Sequence, residues 1–308
     1  MDGLLVIDKP AGPTSHDVVA RLRRVLGERR IGHTGTLDPG ASGVLPLVLG
    51  RATRLARFLS AGDKQYDAVV RFGVATDTYD AAGTPIGGVS SGHVPTLDAI
   101  EMALAGFRGT FLQQPPAYSA KKIAGRRSYK TARASRSTPV ALPAPPALPA
   151  PVIVTAHRVD IVGLAGDCVT LHVECSAGFY VRSLAHELGA RLAVGAHLAA
   201  LRRTASAGLM LDAALPLDVA EGSRDAALAA IVPLDRMLPG LSSVVLTDDG
   251  VRHAIHGRDI GAADITAGPS LPSSMSPPVR LLDTDGQLVG IAEPATTSGF
   301  LHPSVVLR

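Results

Sequence analysis

The chain has 308 residues, 46% of them apolar and 19% charged, with a formal net charge of +3. That is enough apolar material for one large core plus a smaller second unit, and no run of about 18 apolar residues marks a membrane-spanning helix. Two cysteines, Cys168 and Cys175, lie seven apart in a strand-like run and so on opposite faces, and no Cys/His spacing fits a metal ion, which sets aside a disulfide scaffold and a metal centre.

The opening MDGLLVIDKP lacks the plan of a signal peptide, which predicts a soluble, cytoplasmic protein. The mild positive charge points toward a polyanionic partner. Tryptophan is absent and aromatics make up 4%, so nucleic-acid binding would rest on arginines and a few placed tyrosines rather than a stacking platform.

Gly3–Asp8 reads as an apolar strand, closed by a turn at Lys9-Pro10-Ala11-Gly12. Thr14 or Ser15 then caps a helix with Asp17 in its first turn and Val18, Leu22, Val25 and Leu26 as its buried stripe. Arg21, Arg24 and Arg29 fall off that stripe, as a solvated face or as a phosphate rail.

The stretch Arg30–Gly50 (RIGHTGTLDPGASGVLPLVLG) holds one carboxylate, Asp38, among Gly32, Gly35, Gly40 and Gly43, and leads into the apolar run Val44–Leu49. Pro39 pushes Asp38 toward an extended backbone, and glycines let backbone approach a ligand closely. Such a carboxylate suits a nucleophile or general base, yet a tight turn whose Asp caps its own backbone is the commoner outcome for these residues alone.

Arg51, Arg54 and Arg57 recur every three residues on a short helix whose other side carries Leu55, Phe58 and Leu59, an edge that suits an RNA backbone. Tyr66, Ala68, Val70 and Phe72 line one face of an alternating strand. Thr76–Gly88 is a polar loop, Thr96 caps a helix through Leu97, Ile100 and Leu104, and Gln113–Lys122 is extended.

Lys121–Pro151 carries seven basic residues, Arg126 and Arg127 among them, no acid, and a proline-rich end; alone it reads as a linker or mobile loop. Val152–Val162 and Cys168–Cys175 are strands, and Ser176–Arg182 turns into a helix carrying Leu184, Leu188 and Leu192. Arg182 at that helix start is unfavourable with the helix dipole, which points to a specific anionic partner. Beyond about residue 235 the pattern is all-β, with a hairpin at Thr284-Asp285-Gly286, a Pro/Ser-rich loop at Ala267–Pro278 and a final strand at Leu301–Arg308.

Five segments in order resemble the TruB family of tRNA pseudouridine synthases: Gly3–Gly12 (GLLVIDKPAG), Gly32–Pro46 (GHTGTLDPGASGVLP), Asp63–Tyr66 (DKQY), Pro116–Lys121 (PAYSAK) and Ser176–Arg203. The likeness spans about residues 3–235. It implies an α+β fold: a pseudouridine synthase catalytic domain (1–235) with a mixed, largely antiparallel central sheet flanked by helices, a basic thumb insertion at about 121–151, and a small PUA-like β-domain (236–308). It also implies isomerisation of uridine 55 in the TΨC stem-loop of tRNA by a monomer, without cofactor, metal or membrane.

In family terms Asp38 is the nucleophile, Arg182 its ion-pair partner, and Tyr66 stacks on the flipped base. Tyr180 and Leu201 line the uridine pocket, and His33 fills the space that the flipped base leaves or holds it out. Lys9 and Pro10 support the site from beneath. Arg51, Arg54, Arg126, Arg127 and Arg202 are candidate RNA-backbone contacts, Arg202 and Arg203 being either structural or phosphate-facing. Rival readings are a non-catalytic tRNA-binding or folding module, a synthase for another RNA position, and an α/β hydrolase, which would lack its G-x-S-x-G elbow.

Overall fold

The computed structural model describes residues 1–87, 94–118, 148–268 and 277–308, and the backbone of 122–123 and 126–127. The strands of its main sheet are Gly3–Lys9 (β1), Ile31–His33 (β2), Ala41–Leu49 (β3), Lys64–Phe72 (β4), Gly109–Gln113 (β5), Val152–Ala165 (β6), Cys168–Cys175 (β7), Ala196–Ser206 (β8) and Leu215–Pro216 (β9), together with the two-residue Leu209–Met210 paired to β8. They run in the order β9-β1-β3-β8-β4-β7-β6-β5, with β2 paired to β3. The β1–β9 and β3–β8 pairs are parallel and the other pairs along that order antiparallel, giving the mixed, mostly antiparallel sheet expected.

Helices packed on it include Ser15–Leu26 (α1), Ala56–Ala61 (α2), Leu97–Ala105 (α3) and Val181–Arg191 (α4), and the short Leu217–Gly222 and Arg224–Ala229 join α1 in its core. Thr14 and Asp17 cap α1 reciprocally, and Gly27 ends it in the left-handed conformation at φ 69°, two local devices worth about 1 kcal/mol apiece. Strand alternation decides which side chains are buried. Tyr66, Ala68, Val70 and Phe72 of β4 and Val169, Leu171, Val173 and Cys175 of β7 face one core, closed by α3 and α4. Alpha-helix α1 covers the neighbouring half of the sheet through Val18, Val19, Leu22 and Leu26 on Leu5, Ile7, Leu45 and Leu47. Partly buried Leu201 touches both cores.

After residue 235 a second sheet runs in the order Ile265–Ala267, Ser243–Leu246, Val279–Leu282, Leu288–Pro294, Leu301–Val306. It is not all-β as the sequence pattern predicts: Thr247 caps an eight-residue helix, Asp248–Ile255, whose Val251 and Ala254 enter the sheet's core. Met237, Leu288, Ile291 and Leu307 share a core with Leu4, Val6, Val44 and Val48 from the back of the main sheet.

This docking relocates the arginine edge. Gly50–Leu55 is a 3-10 turn, which stacks residues three apart. Arg51 pairs with Asp2 at 2.9 Å and donates to the Leu307 carbonyl at 2.7 Å, while Arg54 donates to the Val306 carbonyl. Arg57 reaches Glu293 and Ser304 at 2.7 and 2.8 Å. The nine-residue β3 separates these arginines from Asp38, roughly 30 Å at strand rise, so they staple the C-terminal sheet instead of lying beside the candidate site.

The basic insertion at 121–151 is described only as a backbone pair, Lys122–Ile123 with Arg126–Arg127, and from residue 148 on. The side chains of Arg126 and Arg127, and most of the proline-rich stretch, lie outside the described residues. No helix among the described residues is long and apolar enough to cross a membrane.

Candidate active site

Asp38 stands in the loop between β2 and β3, and that loop is gripped from several sides. Ser15, buried at the start of α1, accepts from Leu37 N at 2.9 Å and donates to Leu37 O at 3.1 Å. Gly12 N donates to Pro39 O at 2.7 Å, and Ala41 N to Asp38 O at 3.0 Å. Arg203, 1% exposed, donates from Nε to Val44 O at 2.7 Å and from Nη2 to Gly35 O at 3.0 Å. Gly43 sits opposite Arg203 at φ 100°, where a Cβ would meet the Arg203 carbonyl oxygen at 2.1 Å. The backbone approach of β3 to β8 therefore requires glycine there.

Lys9 completes the grip from below. Fully buried, it donates from Nζ to Pro13 O at 2.9 Å, Pro10 O at 3.0 Å and Pro39 O at 3.5 Å. Burial lowers its pKa to about 8, with Asp38 opposing the shift and Arg203 adding to it. Below about pH 8 folded and unfolded chains both carry the ammonium and its burial cost is present in full. Between about 8 and the ordinary value of 10.5 only the unfolded chain holds the proton, so this site adds stability as pH rises. Lys9→Met removes that slope from denaturation measured across the same range. It also leaves the Pro10 and Pro13 carbonyls without this donor, at about 1–3 kcal/mol in unfolding free energy.

Arg182, in the first turn of α4 and 7% exposed, points its guanidinium at the same loop. Nε lies 3.0 Å from Asp38 Oδ2. Nη1 donates to the Thr78 carbonyl at 3.2 Å and lies 3.7 Å from Asp80 Oδ2, and Nη2 donates to the Tyr118 carbonyl at 3.0 Å. The anionic partner that a helix-start arginine calls for is thus Asp38, with Asp80 behind it. Although its partner Arg182 is buried, the Asp38 side chain is 43% exposed. Pro39 and Gly40 beside it are exposed and cover little, so the free oxygen edge is open to an incoming ligand.

The structure brings Tyr66 to the same region. It is opposite Arg203 in the β4–β8 ladder and buried. Burial pushes its phenol above the ordinary pKa, Arg203 works against this and Asp38 adds to it. Tyr180 is fixed through its backbone by buried Gln113, which accepts from Tyr180 N at 2.8 Å and donates to Tyr180 O at 3.0 Å. His33 ends β2 edge-on to His16, ring centroids 5.2 Å apart. Leu201 pairs with Ala41 on one side and Ala68 on the other, next to the end of the Asp38 loop.

Arg202 and Arg203 separate by strand parity. Arg203 turns inward and holds the loop, whereas Arg202 turns outward to Asp8 at 2.7 Å and Ser42 at 3.3 Å. On α1, Arg21 pairs with Glu221 at 3.3 Å and, with Arg24 and Val25, lines an open depression of about 310 Å³ on a different part of the surface. Ser15, Gln113 and Asp80 are the site-building residues that sequence reasoning did not assign, and Arg203 takes the structural one of its two readings. Strand parity was the available signal for Arg203, since it shares a face with Leu201 two residues earlier.

Residues 23–181 match the model of the TruB family pseudouridylate synthase N-terminal domain. A tRNA pseudouridine synthase B of Solibacter usitatus is 42% identical over the whole of both chains. One from Mycobacterium avium is 49% identical over 218 residues, covering 70% of this chain and 68% of its own. Among solved structures, a chain of a Cbf5-Nop10-Gar1 complex superposes with a TM-score of 0.73 at 27% identity, covering 99% of this chain and 85% of its own. With its mixed sheet, gripped aspartate loop and full-length likeness to these enzymes, the chain belongs to the TruB family of pseudouridylate synthases.

Proposed function

We propose that this protein is a cytoplasmic, monomeric tRNA pseudouridine synthase that isomerises uridine 55 in the TΨC stem-loop, with Asp38 as nucleophile. The observation that carries this reading is the 3.0 Å pair between Arg182 and Asp38, which leaves the rest of the carboxylate accessible. In this reading residues 1–235 form the catalytic domain, the 121–151 insertion closes on the RNA as a thumb, with Arg126 and Arg127 on its backbone, and residues 236–308 are a PUA-like unit.

The reaction breaks the bond from C1′ to N1 of uridine and joins C1′ to C5. The C5 proton leaves, N1 regains one, and no net oxidation occurs. The base first leaves its stack, at roughly a few kcal/mol. Asp38 attacks the flipped nucleoside, Arg182 orients it and balances its charge, and Tyr66 lies on the base as a neutral phenol, in keeping with its raised pKa. Tyr180 and Leu201 bound the pocket, and His33 helps hold the base out.

Mapping pseudouridine in tRNA from cells with and without the protein tests the assignment. The expected result is loss of the modification at position 55 alone in cells lacking it, restored by the wild-type chain. Unchanged modification at that position overturns the site assignment. No tritium release from C5-labelled tRNA by the purified chain overturns turnover itself, leaving a non-catalytic RNA-binding module.

A further inference from the structure

The loop that holds Arg182 from behind is itself held by an aromatic pair. Between the paired segments Ala75–Thr76 and Pro85–Ile86, the chain places Thr78 and Asp80 on Arg182. Tyr79, between them, points its ring the other way along α4. It stacks on His186 with ring centroids 3.8 Å apart and planes 9° from parallel. His186 follows Arg182 by four residues, so both side chains rise from one face of the helix, one turn apart.

Tyr79 adopts φ 65°, in the left-handed region. A bulky residue there is strained and persists only where its surroundings over-determine it. Here the loop's backbone is locked on both sides: Leu198 N donates to Tyr79 O at 2.9 Å and Ala81 N to Leu198 O at 3.0 Å. Thr78 and Ala82 both donate to Asp80 Oδ1, at 2.6 and 3.0 Å, which turns Oδ2 toward Arg182. His186 Nδ1 is buried without a hydrogen-bond partner among the described residues. Burial also lowers the pKa of this imidazole and raises that of the Tyr79 phenol. The ring is held by face contact with Tyr79, not by a polar bond.

We propose that the Tyr79–His186 stack is a positioning clamp that fixes the 77–84 loop on α4, so that the Thr78 carbonyl and Asp80 carboxylate hold Arg182 with its Nε toward Asp38. Neither ring touches a reacting atom, so both are positioning residues. The inference rests on the proposed roles of Asp38 and Arg182.

The test is tritium release by the full chain on C5-labelled tRNA, with wild type and Asp38→Asn alongside. His186→Ala lowers kcat by about 10- to 100-fold, the size of effect expected from a displacement of an ångström at the reacting pair, with KM within about twofold. His186→Phe, which keeps a flat ring, restores most of that loss. In an Asp80→Ala background the same His186→Ala change costs less than about twofold, because the two act through one contact. Tyr79→Ser makes the same test from the other ring should His186→Ala fold poorly.

A His186→Ala kcat within twofold of wild type, a His186→Phe variant as slow as the alanine, or full additivity with Asp80→Ala each overturns the clamp. If Asp38→Asn is inactive in the same assay, the failure belongs to the clamp alone. An active Asp38→Asn overturns the mechanism beneath it.

Discussion

Asp38→Asn leaves a folded, RNA-competent protein with turnover reduced by at least about 10⁴-fold, the scale seen when a covalent nucleophile is removed. The change is isosteric and removes only the charge. Breaking a buried ion pair commonly costs about 3–5 kcal/mol because one charge is left alone. Two features argue for a much smaller cost here. The Asp38 side chain is 43% exposed, so solvent already shares its charge. Arg182 also keeps the Thr78 and Tyr118 carbonyls and has Asp80 3.7 Å away. The backbone contacts that shape the loop, from Leu37, Pro39 and the Asp38 carbonyl, do not involve the carboxylate. Unfolding free energy therefore moves by less than about 1 kcal/mol. Single-turnover kinetics, filter binding of unmodified tRNA and a denaturant titration separate the three quantities. A near-native rate removes Asp38 from the chemistry, and a collapse in stability makes it a structural residue instead.

What could be read from the sequence follows the range of the interactions involved. The α1 cap was legible because Thr14 and Asp17 are three residues apart and meet within one turn. The inward faces of β4 and β7 were legible because alternation is a local property. The meeting of Asp38 with Arg182 came from ordered motifs, since 144 positions separate the two and no periodicity links them. Partners set by long-range register escaped. Ser15 clasps Leu37 only because α1 packs beneath the loop, and Gln113 reaches Tyr180 only because β5 ends beside the start of α4. Arg51 and Arg54 show the converse failure. Their spacing correctly puts them on one edge, but what covers that edge is decided by a sheet whose contacting residues lie some 250 positions later. Tyr79 looked like part of a polar loop because nothing local distinguishes a tyrosine that will face a helix 107 residues on.

Arg182→Lys separates charge from geometry. The planar guanidinium engages the Asp38 carboxylate and the Thr78 and Tyr118 carbonyls from three different nitrogens, with Asp80 close behind. A lysine ammonium carries the same charge on a single point and a flexible stem, and cannot span these directions. If net charge beside Asp38 were all that mattered, the variant would work. If orientation matters, turnover falls by about 10²–10³-fold, the cost of losing one preorganised donor at a reacting centre. Stability falls as well, unlike in Asp38→Asn. The Arg182 side chain is 8% exposed, so water does not readily replace its bonds to the two carbonyls, and each carbonyl left unpaired costs about 1–3 kcal/mol. The two variants thus give opposite signatures: the aspartate change removes rate and spares the fold, and the arginine change lowers both. Single-turnover rates compared with unfolding free energies at one pH and salt concentration read this contrast. A lysine variant with native turnover removes Arg182 from the mechanism, and one with slow turnover but native stability shows that its carbonyl contacts are not what hold the surrounding loops.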